Sequence, residues 1–410
     1  MAIGPEELGQ RSETVRRANL TAIVRELHAR GPLSRSELVA RTGLSRSAIR
    51  GLIGELVVAG LASEERGAPL GTPGRPSPLV RLNPASAVVL ALEISVDSLA
   101  VAVVGLGGEV FEQVRVDRPR GHSSDEEIIN DLVALTRGQV HAPPEESLIG
   151  IGVAVAGVVR RADGFVTLAP NLGWRDVPLG ERLARALGTT APISVANESD
   201  LGALAELRRG AAIGGDYVLF IFGEVGVGGG LVVDGRPLTG VAGYSGEVGH
   251  IPVNPNGVAC RCGSVGCWET EIGEEALLIR ARHAPDGGRG AVDAVLREAS
   301  DGSVVALSAL EHVGRWLGLG LAGLVNVLNP RLIVLGGLFG RIYPYVRQSL
   351  EDELDRRALP ASRALVHIVP AALGANAPLL GAAELAFEPL LADPASWIGP
   401  RDHLLELASA

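Results

Sequence analysis

All three cysteines of this 410-residue chain fall within eight positions, in CRCGSVGCWE (260–269). His250 stands ten residues before the first of them, so the spacing reads H-x9-C-x-C-x4-C. One imidazole and three thiols, His250, Cys260, Cys262 and Cys267, make a complete tetrahedral zinc set. No ligand position is left open, and closed sets are structural. Soft thiolates favour zinc over magnesium or calcium. Gly263 and Gly266 let the chain wrap tightly around an ion. An odd number of cysteines suits a disulfide framework poorly. The plainer alternative is three reduced thiols in a loop.

Charge divides the chain in two. Residues 1–82 hold 12 Arg against 8 Glu and no Asp, a net +4. The rest holds 25 Arg against 39 acids, a net −14. A basic head on an acidic body implies that only the head meets a polyanion. Lysine is absent, so no lysine can bind phosphate or form a Schiff base.

In the head, Val15, Leu20, Ile23, Val24 and Leu27 follow helical spacing, and Gly31-Pro32 ends that helix. SRSE (34–37) is a capping box that opens a second, short helix. Thr42-Gly43 closes it, and Ser45 can cap a third. In that third helix Ile49, Leu52, Ile53, Leu56 and Val57 form an apolar stripe. Two helices joined by a tight turn match helix-turn-helix geometry. Arg46, Ser47 and Arg50 lie off the stripe, near the helix start, where side chains reach base edges in a major groove. Residues 61–82 read as two short strands around a Gly/Pro-rich tip, a wing. GRP (74–76) presents Arg75 to a narrow minor groove. The plainer reading is a helical module for protein contacts with solvated arginines. Helix spacing, wing and positive charge together favour DNA, contacted through Ser45, Arg46, Ser47, Arg50 and Arg75.

From Ala85 onward, strands alternate with helices. The stretches 87–94, 148–159, 192–197, 217–223 and 331–337 read as strands, several of them apolar throughout, as strands buried on both faces should be. Asp234-Gly235 marks a hairpin. Residues 199–209 and 303–328 read as helices. This is an α/β body large enough for two lobes and a cleft. Glycine-rich GEVGVGGG (223–230) follows a strand, where a backbone can approach a ligand such as phosphate. MAIGPEELGQ has no apolar core and so does not read as a signal peptide. The most apolar stretch, 317–340, is broken by Asn326, Asn329 and Arg331, short of the roughly 20 apolar residues of a membrane span. The expectation is a cytoplasmic protein without a membrane partner.

EVGH (247–250) followed by CRCGSVGCWE (260–269) resembles the signature of the ROK family of repressors, open reading frames and kinases, E-x-G-H then C-x-C-G-x-x-G-C-x-E. PNLGW (170–174), GRPLTG (235–240), LNPRLIVLGG (328–337) and APLLGAA (377–383) also resemble family segments. The head, with SRSELVARTGLSRS (34–47) and GRP, resembles the winged helix of ROK repressors. The resemblance implies an actin-like, ribonuclease-H-like pair of α/β lobes with sugar in the cleft. The implied organisation is a winged helix-turn-helix at 1–82, a first lobe at 83–196 completed by a C-terminal helix at about 377–410, and a second lobe at 197–376. The implied sugar ligands are Asn197, Glu198, Glu247, His250 and Glu269. Zinc would then tie the Glu247 loop to a Glu269 strand and preposition both carboxylates.

The chain departs from the kinase pattern the resemblance implies. Kinases carry Asn-Asp where Asn197-Glu198 stands, and that Asp is the general base. EISVD (93–97) has Ser95 in place of a phosphate-loop glycine and adds Asp97. Glu224-Val225 replaces a phosphate-binding Gly-Thr. These changes predict a cleft that binds sugar and no nucleotide, in a protein that is not an enzyme. The expected function is a sugar-responsive repressor of carbohydrate-utilisation genes. Its partners are operator DNA and a sugar or sugar-phosphate effector, its zinc is structural, and it acts as a homodimer or homotetramer. The alternatives are a glucokinase-like ROK sugar kinase with an appended DNA-binding domain, and a ligand-free scaffold.

Overall fold

The computed structural model describes residues 5–65, 77–121, 123–141, 144 and 147–398. Arg75 and the wing tip lie outside them, as do the last twelve residues, 399–410, of the expected C-terminal helix.

The head comprises α1 (Pro5–Arg30), β1 (Leu33–Ser34), α2 (Arg35–Thr42), α3 (Arg46–Val58), β2 (Ala62–Glu65) and β3 (Leu79–Leu82). The capping box at α2 forms as expected, with Ser34 and Glu37 each satisfying the other's backbone N–H. Ser45 Oγ accepts the Ala48 N–H and starts α3. β3 pairs with both β1 and β2, giving the small sheet of a winged helix. Two positions depart from expectation. Val57 of α3 is 39% exposed, off the buried stripe of Ile49, Leu52, Ile53 and Leu56, and Val15 is 58% exposed, while Leu20, Ile23, Val24 and Leu27 are buried. The apolar face of α1 therefore begins one turn later.

The body opens with β4 (Val88–Ile94), β5 (Ser98–Gly105), β6 (Glu109–Asp117), α4 (Asp125–Gln139) and β7 (Leu148–Val155). It continues with β8 (Val158–Arg160), β9 (Phe165–Ala169), β10 (Trp174–Val177), α5 (Leu179–Leu187), β11 (Ile193–Asn197) and α6 (Glu198–Arg209). Next come β12 (Val218–Gly223), β13 (Val227–Val233), β14 (Arg236–Pro237), α7 (Glu269–Ile272), α8 (Glu274–Arg280), α9 (Gly288–Ser300) and α10 (Val304–Leu328). The chain ends with β15 (Leu332–Gly337), α11 (Leu338–Arg357), α12 (Pro360–Arg363), β16 (His367–Pro370) and α13 (Ala377–Ala392).

Two five-stranded sheets share one plan. The first runs β11-β7-β4-β5-β6 and the second β14-β13-β12-β15-β16. In each, three antiparallel strands are followed by two parallel ones. α13 packs on β4, β7 and β11, α6 packs on β12 and β13, and the two helices pack on each other between the sheets. α4 and α5 cover the first sheet's other face, and α11 covers the second's.

The stretch 148–159 is two strands, not one. The chain bends at Ala156-Gly157, where a side chain on Gly157 would lie 2.7 Å from the Ala169 Cβ. The expected C-terminal helix runs to Ala392 and is followed by a single turn, Pro394–Trp397.

Head and body share a core. A single buried apolar cluster contains Leu20, Ile23 and Leu27 of α1, Ile49 and Ile53 of α3, and Leu379, Phe387 and Leu390 of α13. Arg25 Nε donates to the Leu391 carbonyl at 3.0 Å, and Thr21 Oγ1 to the Ala392 carbonyl at 3.0 Å. α1 is thus bound along α13 as well as to its own head.

Candidate functional site: a cysteine–histidine knot beside an acidic cleft

The knot is closed by two isolated bridges, Pro252 with Cys267 and Ala259 with Val265. Gly263 and Gly266 have φ of 95° and 69°, a left-handed backbone that glycine adopts without strain. A side chain on Gly266 would also meet the Asn254 carbonyl at 1.7 Å. The ligand atoms of His250, Cys260, Cys262 and Cys267 lie within 4.8 Å of one another. Cys262 Sγ is 3.7 Å from Cys267 Sγ, and Cys260 Sγ is 3.7 Å from His250 Nδ1. Those separations are too long for a disulfide. They match the edges, about 3.5–3.8 Å, of a tetrahedron with Zn–S near 2.3 Å and Zn–N near 2.0 Å. Burial pushes the Cys260 thiol up to about 12, so a thiolate there needs a cation beside it. The four residues can hold a metal such as zinc.

The knot is anchored from behind. Trp268 is fully buried, and its indole N–H donates to the Trp316 carbonyl of α10 at 2.8 Å. Its ring fits because Gly320 has no side chain, since a Cβ there would lie 2.1 Å from the indole. Glu269 follows at once. It opens the short helix α7 and does not lie on a strand, which corrects the sequence expectation. Its Oε2 accepts the Val227 N–H at 2.9 Å.

On the cleft side, a cavity of about 130 Å³ is lined by residues that include Asn197, Glu198, Glu247, His250 and Glu269. All five residues singled out from the sequence meet there. His250 turns Nδ1 to the knot, while Nε2 lies 3.8 Å from Glu247 Oε2. Burial raises the Glu247 carboxyl, and neighbouring Glu269 adds to this against His250. Asn197 is partly committed. Its Oδ1 accepts the Ser199 N–H at 2.7 Å as the α6 cap, and its Nδ2 donates to the Gly157 carbonyl at 2.9 Å. One N–H and one lone pair remain for a ligand.

Glu198 is half-buried in the cavity wall. Burial first, then Glu93 and Glu224, raise its carboxyl well above the ordinary range. Ser95 Oγ lies 3.0 Å from Glu93 Oε1 and 3.4 Å from Glu198 Oε2. The sequence reading treated Asp97 and Glu224 as bare acids. The structure gives both an arginine. Asp97 accepts from Arg120 at 2.9 Å and from Arg289 at 3.3 Å, and Arg289 Nε lies 3.5 Å from Glu224 Oε2. Arg115 holds Glu93 with two bonds, at 2.8 and 2.9 Å. The sequence reading missed these arginines because their partners lie 22 to 192 positions away.

The glycine-rich run 223–230 has mainly a packing purpose. A Cβ on Gly228 would meet Ser199 Oγ at 2.2 Å, and one on Gly230 would meet Ala203 Cβ at 2.4 Å, both on α6. Gly226 and Gly228 also line the cavity, and a Cβ on Gly226 would lie 2.9 Å from Glu269 Oε2.

In the head, Ser45, Arg46, Ser47 and Arg50 are exposed. The Ser45 and Ser47 hydroxyls lie 3.0 Å apart. Among the described residues neither Arg46 nor Arg50 forms an ion pair within 4 Å, whereas Arg35 is held by Glu64.

The ROK family's sequence profile matches residues 89–388. The chain belongs to the ROK family. Beyond that span, the xylose repressor of Bacillus subtilis (strain 168) is 28% identical over 378 residues, 92% of this chain and 97% of that protein. The first 82 residues are a fifth of the chain, so that match enters the head. In structure, a ROK family transcriptional regulator described as a homologue of the E. coli MLC protein superposes with a TM-score of 0.72 at 24% identity, covering 97% of this chain and 100% of the other. That likeness establishes the fold: mixed α/β, with an N-terminal helical region ahead of the two-sheet ROK body. A ROK glucokinase from Streptomyces griseus in complex with glucose and AMPPNP has a TM-score of 0.65 at 28% identity, but spans only 73% of this chain and 99% of its own.

Proposed function

We propose that this ROK protein is a sugar-responsive DNA-binding repressor of carbohydrate-utilisation genes, working in the cytoplasm as a homodimer or homotetramer. One observation carries the reading. A helix-turn-helix head with Arg46 and Arg50 free of ion pairs among the described residues shares its core with the cleft-bearing body. The full-length likeness to a xylose repressor supports it. Residues 1–82 would bind operator DNA, with Ser47, Arg46 and Arg50 toward base edges.

The effector would be an uncharged sugar. Asp97, Glu198, Glu224, Glu247 and Glu269 line the cavity, and among the described residues no arginine does. Carboxylates accept bonds from sugar hydroxyls and repel phosphate. At the cavity mouth, Arg120 and Arg261 are already held by Glu274 and Glu275. The zinc would be structural, fixing His250 and Glu269 as walls of that cavity. Bound there, it supplies a crosslink and no chemistry.

The kinase alternative draws on the glucokinase likeness. Glu198 weakens it, because it reaches one methylene further than the Asp that serves as base in the kinase pattern, and a misplacement of about 1 Å can cost on the order of 100-fold in rate. Arg289 and Arg120 also tie the cavity's acids across the cleft. The deciding experiment titrates DNA from upstream of the protein's own gene, with and without D-xylose, D-glucose and their phosphates. Release by a free sugar, without ATP turnover, is expected. Turnover near one per second would move the reading to a kinase.

A further inference from the structure

One helix runs from the cleft to the head. α6 starts at the Asn197 cap, with Glu198 in the cavity wall, and ends at Arg209. At 1.5 Å per residue its span is about 17 Å. At the far end, the Arg209 guanidinium meets three other segments. Nε donates to Glu384 of α13, and Nη1 donates to the Gly107 carbonyl at 2.9 Å and to the His28 carbonyl of α1 at 3.2 Å. The turn between β5 and β6 admits this group only because Gly108 lacks a side chain. A Cβ there would lie 2.0 Å from the guanidinium carbon.

His28 completes the cluster. It is 1% exposed and Glu384 is 2% exposed. The Gly107 N–H donates to His28 Nδ1 at 3.0 Å, so Nε2 carries the ring proton and faces the Glu384 carboxylate at 3.1 Å. Arg209 Nη2 lies 2.7 Å from the same Nε2. Both nitrogens bear protons, so the shared carboxylate holds them together. Burial alone would raise Glu384, but His28 and Arg209 outweigh it and hold the carboxyl below its ordinary range.

α6 packs Leu201 and Leu204 into the core shared with the head, and its backbone comes very close to both neighbouring elements. β13 meets it at Gly228 and Gly230, and α13 meets it at Gly381, where a Cβ would lie 1.9 Å from the Leu201 carbonyl. A helix so closely packed shifts as a unit with small displacements, in the manner of a shear motion. Buried ion pairs contribute little stability beyond an apolar packing, but they fix one geometry against others.

Building on the sugar-responsive reading above, we propose that Arg209, Glu384 and His28 are positioning residues that couple the cleft to the DNA-binding head. Displacement of α6 at Asn197-Glu198 moves Arg209 against His28 and re-seats α1 along α13. Neither DNA nor sugar touches the joint, so it governs the interaction between the two ligands and not their separate affinities.

The test uses the full chain and a variant carrying both Arg209→Met and Glu384→Gln, which removes both buried charges and keeps an acceptor for His28. Affinity for DNA from upstream of the protein's own gene is measured with and without saturating D-xylose or D-glucose, and sugar affinity with and without DNA. The variant should bind each partner alone within threefold of the parent. Sugar-driven release should fall from tenfold or more to threefold or less, and the effect of DNA on sugar affinity should fall by the same factor. Undiminished release in a folded variant overturns the proposal. If neither sugar releases the parent, the sugar-responsive reading falls, and the joint is judged without a ligand. Asn197→Ala should then speed amide hydrogen exchange in residues 20–30 of the parent and leave the double variant unchanged. Equal changes in both backgrounds, or none in the parent, overturn the joint.

Discussion

Arg120 clamps Glu274 with both of its terminal nitrogens, at 2.6 and 3.1 Å, and so ties the loop after β6 to the start of α8. The same guanidinium holds Asp97 at 2.9 Å. Glu274 is 3% exposed, so it cannot turn to water if the arginine is lost.

Replacing Arg120 with Met should therefore cost about 3–5 kcal/mol, the usual penalty for stranding one member of a buried pair. Adding Glu274→Gln should recover part of that loss. Denaturant midpoints of the single and double variants check this. A single variant as stable as the parent would show that the clamp is a surface pair.

Elemental analysis should find about one zinc per chain, as a closed four-ligand site implies. Cys262→Ser should lower metal content and weaken sugar binding, because the knot positions Glu269 through Trp268. Protein that is metal-free yet binds sugar normally would separate the knot from the cleft.

Arg46→Ala and Arg50→Ala should each weaken operator binding by about 1–3 kcal/mol, the range for a lost base contact. Arg35→Ala should do less, since Glu64 already occupies that guanidinium. Gel-shift titrations at fixed physiological salt measure all three. Equal losses at Arg35 and Arg46 would displace the recognition surface from α3.

Asp200 gives a pH dependence with a definite sign. Burial raises its carboxyl from 3.8 to about 7, partly offset by Arg161, and its Oδ2 has no hydrogen-bond partner among the described residues. The folded state therefore keeps a proton that the unfolded chain loses near pH 4. The resulting stability is whole below that value and is lost as pH rises toward 7, on the order of 2–4 kcal/mol in all. Asp200→Asn should be markedly more stable than the parent at pH 8 and little different at pH 4. A gain of equal size at both pH values would contradict the assignment.

Local physics made much of this molecule legible in advance. The caps at Ser34 and Ser45, the apolar strand read at 87–94 and found at 88–94, and the hairpin at Asp234-Gly235 all depend on neighbours in sequence. The knot was visible because its thiols lie within eight positions and His250 stands ten residues before them. Asn197, Glu247 and Glu269 were legible only through the family resemblance, since carboxylates and amides alone have no distinctive spacing. Long-range pairing was invisible. Nothing near Asp97 announces Arg289, 192 positions on, and nothing near His28 announces Glu384, 356 positions on. Gly230 misled for a related reason. A glycine that admits a helix looks the same in sequence as one that admits a phosphate.

The common core of α1, α3 and α13 bears on how such proteins can be recombined. A chimera cut at residue 82 would leave Phe387, Leu390 and Leu391 facing a foreign first helix. It would also part His28 from Glu384. Exchanging heads between relatives should work only when the seam on α13 travels with them.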